Sequence, residues 1–83
     1  AYEPIWAIGS GGRPAAPSDI AEVFAALRAE WGGSVKGVLF GGSVNPGNAL
    51  ATLGVEGVDG LFIGRAAWDV TGFIGLLDLV AAR

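Results

Sequence analysis

The sequence has no cysteine, no histidine and no methionine, and Lys36 is its one lysine among 83 residues. Without cysteine there is no disulfide framework, and without cysteine or histidine no zinc site. Charge is sparse: five Lys and Arg stand against eight Asp and Glu, for a net charge of −3. The cations Arg13, Arg28, Lys36, Arg65 and Arg83 are scattered and form no basic stripe, which argues against phosphate-led nucleic-acid binding. No apolar run approaches the ~20 residues of a membrane span, because Asp59, Arg65, Asp69 and Asp78 interrupt the C-terminal half. The opening residues read as a strand carrying Glu3, not as a secretory leader. With no methionine and a strand pattern at residue 1, these residues are expected to be a piece of a longer protein.

What is present is apolar. Hydrophobic residues make up 52% of the chain, too many for disorder, and the length allows at most one small domain. Residues 1–5 alternate small and bulky side chains and read as a short strand. Residues 6–16 carry Gly9, Gly11, Gly12 and Pro14, which is loop chemistry. Pro17 suits a first helical turn and Asp19 the positive end of a helix. Ile20, Val23, Phe24, Leu27 and Trp31 then recur on one helical face, and Gly32-Gly33 end the helix. Val35 to Phe40 reads as a second strand, followed by the tight turn Gly41-Gly42-Ser43. Asn45 as cap and Pro46 as first helical residue predict a short helix near 46–53, with Ala49, Leu50 and Leu53 inward. Val58 to Ile63 reads as a third strand, ended by Gly64. Asp69 can cap a last helix whose stripe is Val70, Phe73, Ile74, Leu77 and Val80; Gly72 and Gly75 weaken it.

Strand, loop and helix thus alternate three times. Strands separated by helices run parallel with right-handed crossovers, and their following loops emerge on one side. The fold class is α/β, and sites of such folds lie at the carboxyl ends of the strands. Three loops meet there. In the first, Glu3 closes a strand and Pro4 restricts it to extended geometry, so the carboxylate is a poised base. Trp6 and the glycine-flanked tip that follow form a hinged lid. Gly9, Ser43 and Gly64 lack bulk where backbone N–H groups must approach an anion, and Gly64-Arg65 opens a short helical turn.

Tyr2-Glu3-Pro4-Ile5-Trp6-Ala7-Ile8-Gly9, Gly41-Gly42-Ser43-Val44 and Gly57-Val58-Asp59-Gly60-Leu61-Phe62-Ile63-Gly64 resemble the last three strand-to-loop segments of the triosephosphate isomerase family. The resemblance spans essentially the whole chain, in the family's order. It implies that residues 1–83 are the C-terminal part of a (β/α)8 TIM barrel, from the sixth strand through the eighth helix, with three parallel strands each followed by a helix. It implies that the parent protein interconverts dihydroxyacetone phosphate and glyceraldehyde 3-phosphate through an enediolate, as an aldose–ketose isomerase of glycolysis and gluconeogenesis. Glu3 is then the catalytic base, and Gly9, Ser43, Gly64 and Arg65 hold the substrate phosphate. Pro4, Ile5, Trp6, Ala7, Ile8, Gly9, Ser10 and Gly11 form the lid. These roles come from the family. The resemblance further implies no cofactor and no metal, a small phosphorylated sugar as partner, a homodimeric parent and a cytoplasmic location. The Lys and His expected to complete the site would lie upstream, so the isolated piece is expected to be inactive.

The sequence also departs from the family. The second hinge of the lid, commonly a Lys-Thr-Ala-like run, reads Gly12-Arg13-Pro14-Ala15-Ala16 and is about one residue longer. Phe40 stands where a Tyr hydroxyl commonly latches the lid. Arg65 replaces a second glycine, and either grips phosphate with its planar fork or turns outward to pair with Asp69. Trp68 is bulkier than the residue usual nearby, and either narrows the pocket or packs the barrel floor. These changes suggest a divergent branch and leave open a four-carbon, erythrulose-phosphate-type isomerase. Two rivals remain: another phosphate-binding barrel enzyme, of the kind found in histidine or tryptophan synthesis, and a non-catalytic phosphate-binding partial-barrel module that closes its sheet by self-association.

Overall fold

The computed structural model describes residues 1–83. The elements are helix α1 (Pro17–Trp31), strand β1 (Leu39–Gly41), helix α2 (Ala49–Leu53), strand β2 (Gly60–Phe62) and helix α3 (Val70–Ala82), with single 3₁₀ turns at Ile5–Ala7 and Arg65–Ala67. β1 pairs parallel with β2, setting Leu39 opposite Gly60, Phe40 opposite Leu61 and Gly41 opposite Phe62. On the other edge of β1, Tyr2 forms a single parallel bridge to Phe40. The Tyr2 amide donates to the Leu39 carbonyl at 2.8 Å, and the Gly41 amide donates to the Tyr2 carbonyl at 2.9 Å. Three extended segments therefore lie side by side and point the same way, with β1 in the middle.

The strands are shorter than the sequence suggests. The segment expected over residues 1–5 is reduced to the bridge at Tyr2 because Pro4 has no amide to give a ladder. The chain then turns, with the Ala7 amide donating to the Pro4 carbonyl at 2.9 Å, which leaves Ile5 exposed. The second strand begins at Leu39, not Val35, because the amide of Val38 is taken by the Asp59 carboxylate at 2.8 Å. The third spans Gly60–Phe62. α2 starts at Ala49 because Asn45 folds residues 45–48 into a turn of their own: its Oδ1 accepts from the Gly47 amide at 2.8 Å and from the Asn48 amide at 3.2 Å.

α1 begins where Pro17 and Asp19 place it, and the Asp19 carboxylate reaches back to accept from the Ala16 amide. Its inner face carries Ile20 and Phe24, which are fully buried with Phe40, Val38, Val44, Ala49, Val55 and Leu76. Phe24, Phe40 and Tyr2 form a triangle of rings with centroids 6.2–6.3 Å apart. Burying each phenylalanine is worth about 1.5–3 kcal/mol, so this triangle ties the Tyr2 segment, β1 and α1 into one unit. Two stripes differ from expectation. Trp31 and Leu50 point into solvent. In α3, Leu76 faces the core, whereas Val70, Phe73, Ile74 and Leu77 of the expected stripe are exposed and Val80 is half-buried. α3 is apolar nearly all round, so periodicity alone does not choose its inner face. The Asp69 cap forms as expected, its Oδ1 accepting from the Gly72 amide at 2.6 Å.

A polar clamp holds the amino ends of the strands. Arg28 of α1 donates through Nε to the Gly57 carbonyl at 3.0 Å, and its guanidinium pairs with Asp59. The same Asp59 oxygen accepts the Val38 amide. That amide, followed by the charge and hydrogen bond of Arg28, holds the Asp59 carboxyl below its ordinary 3.8, against an opposing desolvation. Because the folded value is the lower one, this contribution to stability is complete above about pH 4 and is lost as pH falls through the lowered value. Asp59→Asn is expected to melt at a lower temperature than the parent sequence at pH 7. The gap should narrow as pH falls below about 4 and through the lowered value, where Asp59 loses its charge; a gap independent of pH would show that the carboxylate charge is not what holds the clamp.

Candidate active site

The parallel register decides what meets at the carboxyl ends. Glu3 follows the Tyr2 bridge, Gly42-Ser43 follow β1, and Gly64-Arg65 lie just past β2. All five line one open cleft of about 710 Å³ together with Gly9. Every catalytic or phosphate-binding residue expected from the sequence is thus on the same cleft: Glu3, Gly9, Ser43, Gly64 and Arg65. Of the lid residues, Ala7, Ile8, Gly9 and Ser10 line it, whereas Pro4 and Trp6 line a smaller cleft on the other side and Ile5 is exposed.

Glu3 owes its place to Gly41. A Cβ on Gly41 would lie 2.9 Å from Glu3 Cγ and 3.1 Å from its Oε1, so only glycine leaves the carboxylate room above the end of β1. The chain's one ion pair is Arg28–Asp59, which leaves both Glu3 and Arg65 unpaired in the cleft. The backbone amides of Gly9, Ser43, Gly64 and Arg65 donate to no other backbone group or side chain of the chain. A carboxylate and a set of uncommitted N–H donors therefore share one cleft, with a guanidinium beside them. A base that can reach a carbon acid and donors that can hold an anion are the parts that proton transfer on a phosphorylated substrate requires.

Two details refine the sequence reading. The Ser43 hydroxyl, expected to be free for an anion, donates to the Ala7 carbonyl at 2.7 Å. Ser43 adopts a left-handed φ of 50°, which Asn48 and Asn45 support by donating to its carbonyl at 3.0 and 3.4 Å. Only its backbone amide is left for a ligand, while its side chain pins the lid stem. Arg65 lines the cleft and does not pair with Asp69. Its guanidinium lies 5.5 Å from the Trp68 ring centre, and Asp69 is occupied as the cap of α3. Trp68 lines the cleft and is largely exposed in these 83 residues.

Asn45 and Phe62 also line the cleft and were not singled out as site residues by sequence reasoning. Asn45 read as a helix cap; its position two residues beyond the glycine turn was the available signal. Phe62 read as core because it sits in an apolar run, but β2 turns it toward the open side, where it is half exposed.

A family model described as triosephosphate isomerase matches residues 1–80. The L-erythrulose-1-phosphate isomerase of Mycolicibacterium smegmatis is 51% identical over 83 residues, which cover all of this chain and 32% of the relative. The enzymes of the same name from Mesorhizobium japonicum and Rhizobium etli are 50% and 48% identical over 86 residues, covering 99% of this chain and 34% and 32% of theirs. The chain spans about a third of the length of these curated relatives.

The Ser43 hydroxyl bond has a measurable consequence. Losing a hydrogen bond worth about 1 kcal/mol, Ser43→Ala is expected to speed amide exchange across residues 7–12 about five-fold. Exchange in α1 should not change. Equal exchange in the two proteins would show that the hydroxyl does not pin the stem.

Proposed function

Because the chain belongs to the triosephosphate isomerase family, we propose that it is the C-terminal third of a sugar-phosphate isomerase in which Glu3 moves the proton. The observation that carries this reading is the shared cleft: an unpaired carboxylate, four uncommitted backbone amides and one guanidinium at the same strand ends. The reading of residues 1–83 as the sixth strand through the eighth helix of a barrel is supported by what is left uncovered. The outer edges of Tyr2 and β2 are unpaired, and Val70, Phe73, Ile74 and Leu77 of α3 face outward. Unpaired edges and apolar surface of this extent need cover.

In the proposed reaction the phosphate sits on the amides of Gly9, Ser43, Gly64 and Arg65, with the Arg65 fork adding a charge-assisted hydrogen bond. That anchorage presents the carbon beside the carbonyl to Glu3. Glu3 removes its proton and the electron pair forms an enediolate with the charge on the former carbonyl oxygen; that oxygen gains a proton, the neighbouring hydroxyl gives one up to become the new carbonyl, and Glu3 returns its proton to the former carbonyl carbon. The lid tip at Ile8 shuts water out while the enediolate exists. The cleft contains no Lys and no His to polarise the carbonyl. The 83 residues alone are therefore expected to be inactive, the missing electrophile belonging to the rest of the protein.

The names of the relatives favour a four-carbon substrate over the three-carbon interconversion, and the link to glycolysis and gluconeogenesis goes with the latter. The chemistry of that substrate constrains the product. In L-erythrulose 1-phosphate one neighbour of the carbonyl carbon carries the phosphate ester and the other a free hydroxyl. Only the second can become a carbonyl by a single proton transfer, so one turnover yields another ketose phosphate and no aldehyde.

Three tests apply to the full-length protein. Glu3→Gln is expected to lower kcat by about 10²–10⁴-fold without lowering the melting temperature, as loss of a general base does. Arg65→Ala is expected to raise KM about ten- to a hundred-fold, the range of a lost charge-assisted contact. kcat/KM should be higher for L-erythrulose 1-phosphate than for dihydroxyacetone phosphate. The reverse order would return the three-carbon reading, and unchanged turnover in Glu3→Gln would remove the base assignment.

A further inference from the structure

Arg13 is one of the cations that neither the cleft nor the Asp59 clamp uses. Its guanidinium lies 4.2 Å from the centre of the Trp6 ring, well inside the ~6 Å at which a cation is attracted to an aromatic face. The backbones of the same two residues are joined as well, the Arg13 amide donating to the Trp6 carbonyl at 3.1 Å. One residue further in, the stems touch again. A Cβ on Gly12 would lie 2.7 Å from the carbonyl carbon and oxygen of Ala7, and the Gly12 amide donates to the Gly9 carbonyl at 3.1 Å. Residues 7–12 are therefore the arc of a loop whose two ends are fastened to each other by one backbone bond and one stacked pair. Only Ser43 holds this arc to the strand ends by a hydrogen bond, through Ala7.

We propose that Arg13 is a positioning residue: stacked on Trp6, it locks the two stems together so that residues 7–12 cover the cleft as one closed ring. The proposal rests on the functional reading above for what the ring covers, and on the stem geometry alone for how it is held. Closing the ring at its base shortens the stretch of chain that must be ordered when the cleft is covered. A planar guanidinium suits this task better than an ammonium, because it can lie flat on the indole. Phe40 cannot contribute, since its ring is buried between Tyr2 and Phe24 and carries no donor.

The test is limited proteolysis of the full-length protein within residues 7–12, with and without inorganic phosphate, comparing the natural sequence with Arg13→Gln and Arg13→Lys. For a partly exposed stacked pair, Arg13→Gln is expected to be cut about two- to five-fold faster in this segment. It should also lose part of the protection given by phosphate, with kcat/KM lowered by a similar factor and the melting temperature unchanged. Arg13→Lys should fall between the two. A double-mutant cycle with Trp6→Leu should show that removing the ring abolishes the effect of Arg13→Gln. Equal cutting in the natural sequence and Arg13→Gln overturns the proposal. So does faster cutting spread over the whole chain, which would mark a general loss of stability. If phosphate protects neither protein, the phosphate reading of the cleft fails, while the cutting rates without phosphate still decide the role of Arg13.

Discussion

The backbone of Phe40–Gly41 bonds to both sides at once, and the rest of the molecule follows from that constraint. One edge takes Tyr2 and the other takes Leu61 and Phe62, all in parallel. Parallel pairing leaves no freedom about which ends coincide: Glu3, Ser43 and Gly64 must emerge together. The register also fixes spacing, because each rung sets one residue of the Tyr2 segment and one of β2 level with β1. A slip of one residue would turn Phe40 out of the core and carry Gly41 from beneath Glu3. The Arg28–Asp59 clamp guards against such a slip from the opposite end, since Asp59 holds the Val38 amide one residue before β1 begins.

Much of this order was legible in the residues, and what was not has identifiable causes. The helix starts were readable because Pro17, Asp19 and Asp69 act locally, through fixed φ and carboxylates that accept amides a turn away. The strand ends were less so. Whether Val35 or Leu39 opens β1 depends on a carboxylate 21 residues away in sequence, which no window along the chain contains. The inner face of α3 was misjudged for a different reason. When most positions are apolar, the face that turns inward is chosen by what lies opposite, and only Leu76 has a partner here. The residues expected at the strand ends do line one cleft, because glycine turns and a strand-end Glu act where they stand. The commitment of the Ser43 hydroxyl to Ala7 was hidden, because it depends on a left-handed backbone at a non-glycine residue.

The scarcity of charge gives the cleft its character. The cleft is lined by one guanidinium and one carboxylate, so it has almost no net charge with which to gather anions. On the proposed reading an anion is instead recognised by shape, through amides that donate to nothing else in the chain. Backbone donors do not titrate and do not swing, so the grip keeps its form as pH changes.

The same scarcity explains why the lid is fastened as it is. A loop of residues 7–12 rich in glycine and small side chains has little burial of its own to order it: Ala7 is buried, whereas Ile8, Ser10 and Gly11 are exposed. Its order must come from its base, where Ser43, Trp6 and Arg13 each contribute one contact of roughly 1 kcal/mol or less net. Contacts of that size fit a part that must both hold and release. A deep hydrophobic anchor would keep the arc in one position, and no anchor would leave the ordering entropy of six residues to be met by the substrate alone. Three weak fastenings at the stem place the arc between these extremes, which is what the proposed lid requires: a tip able to close over a ligand on a fixed point of attachment.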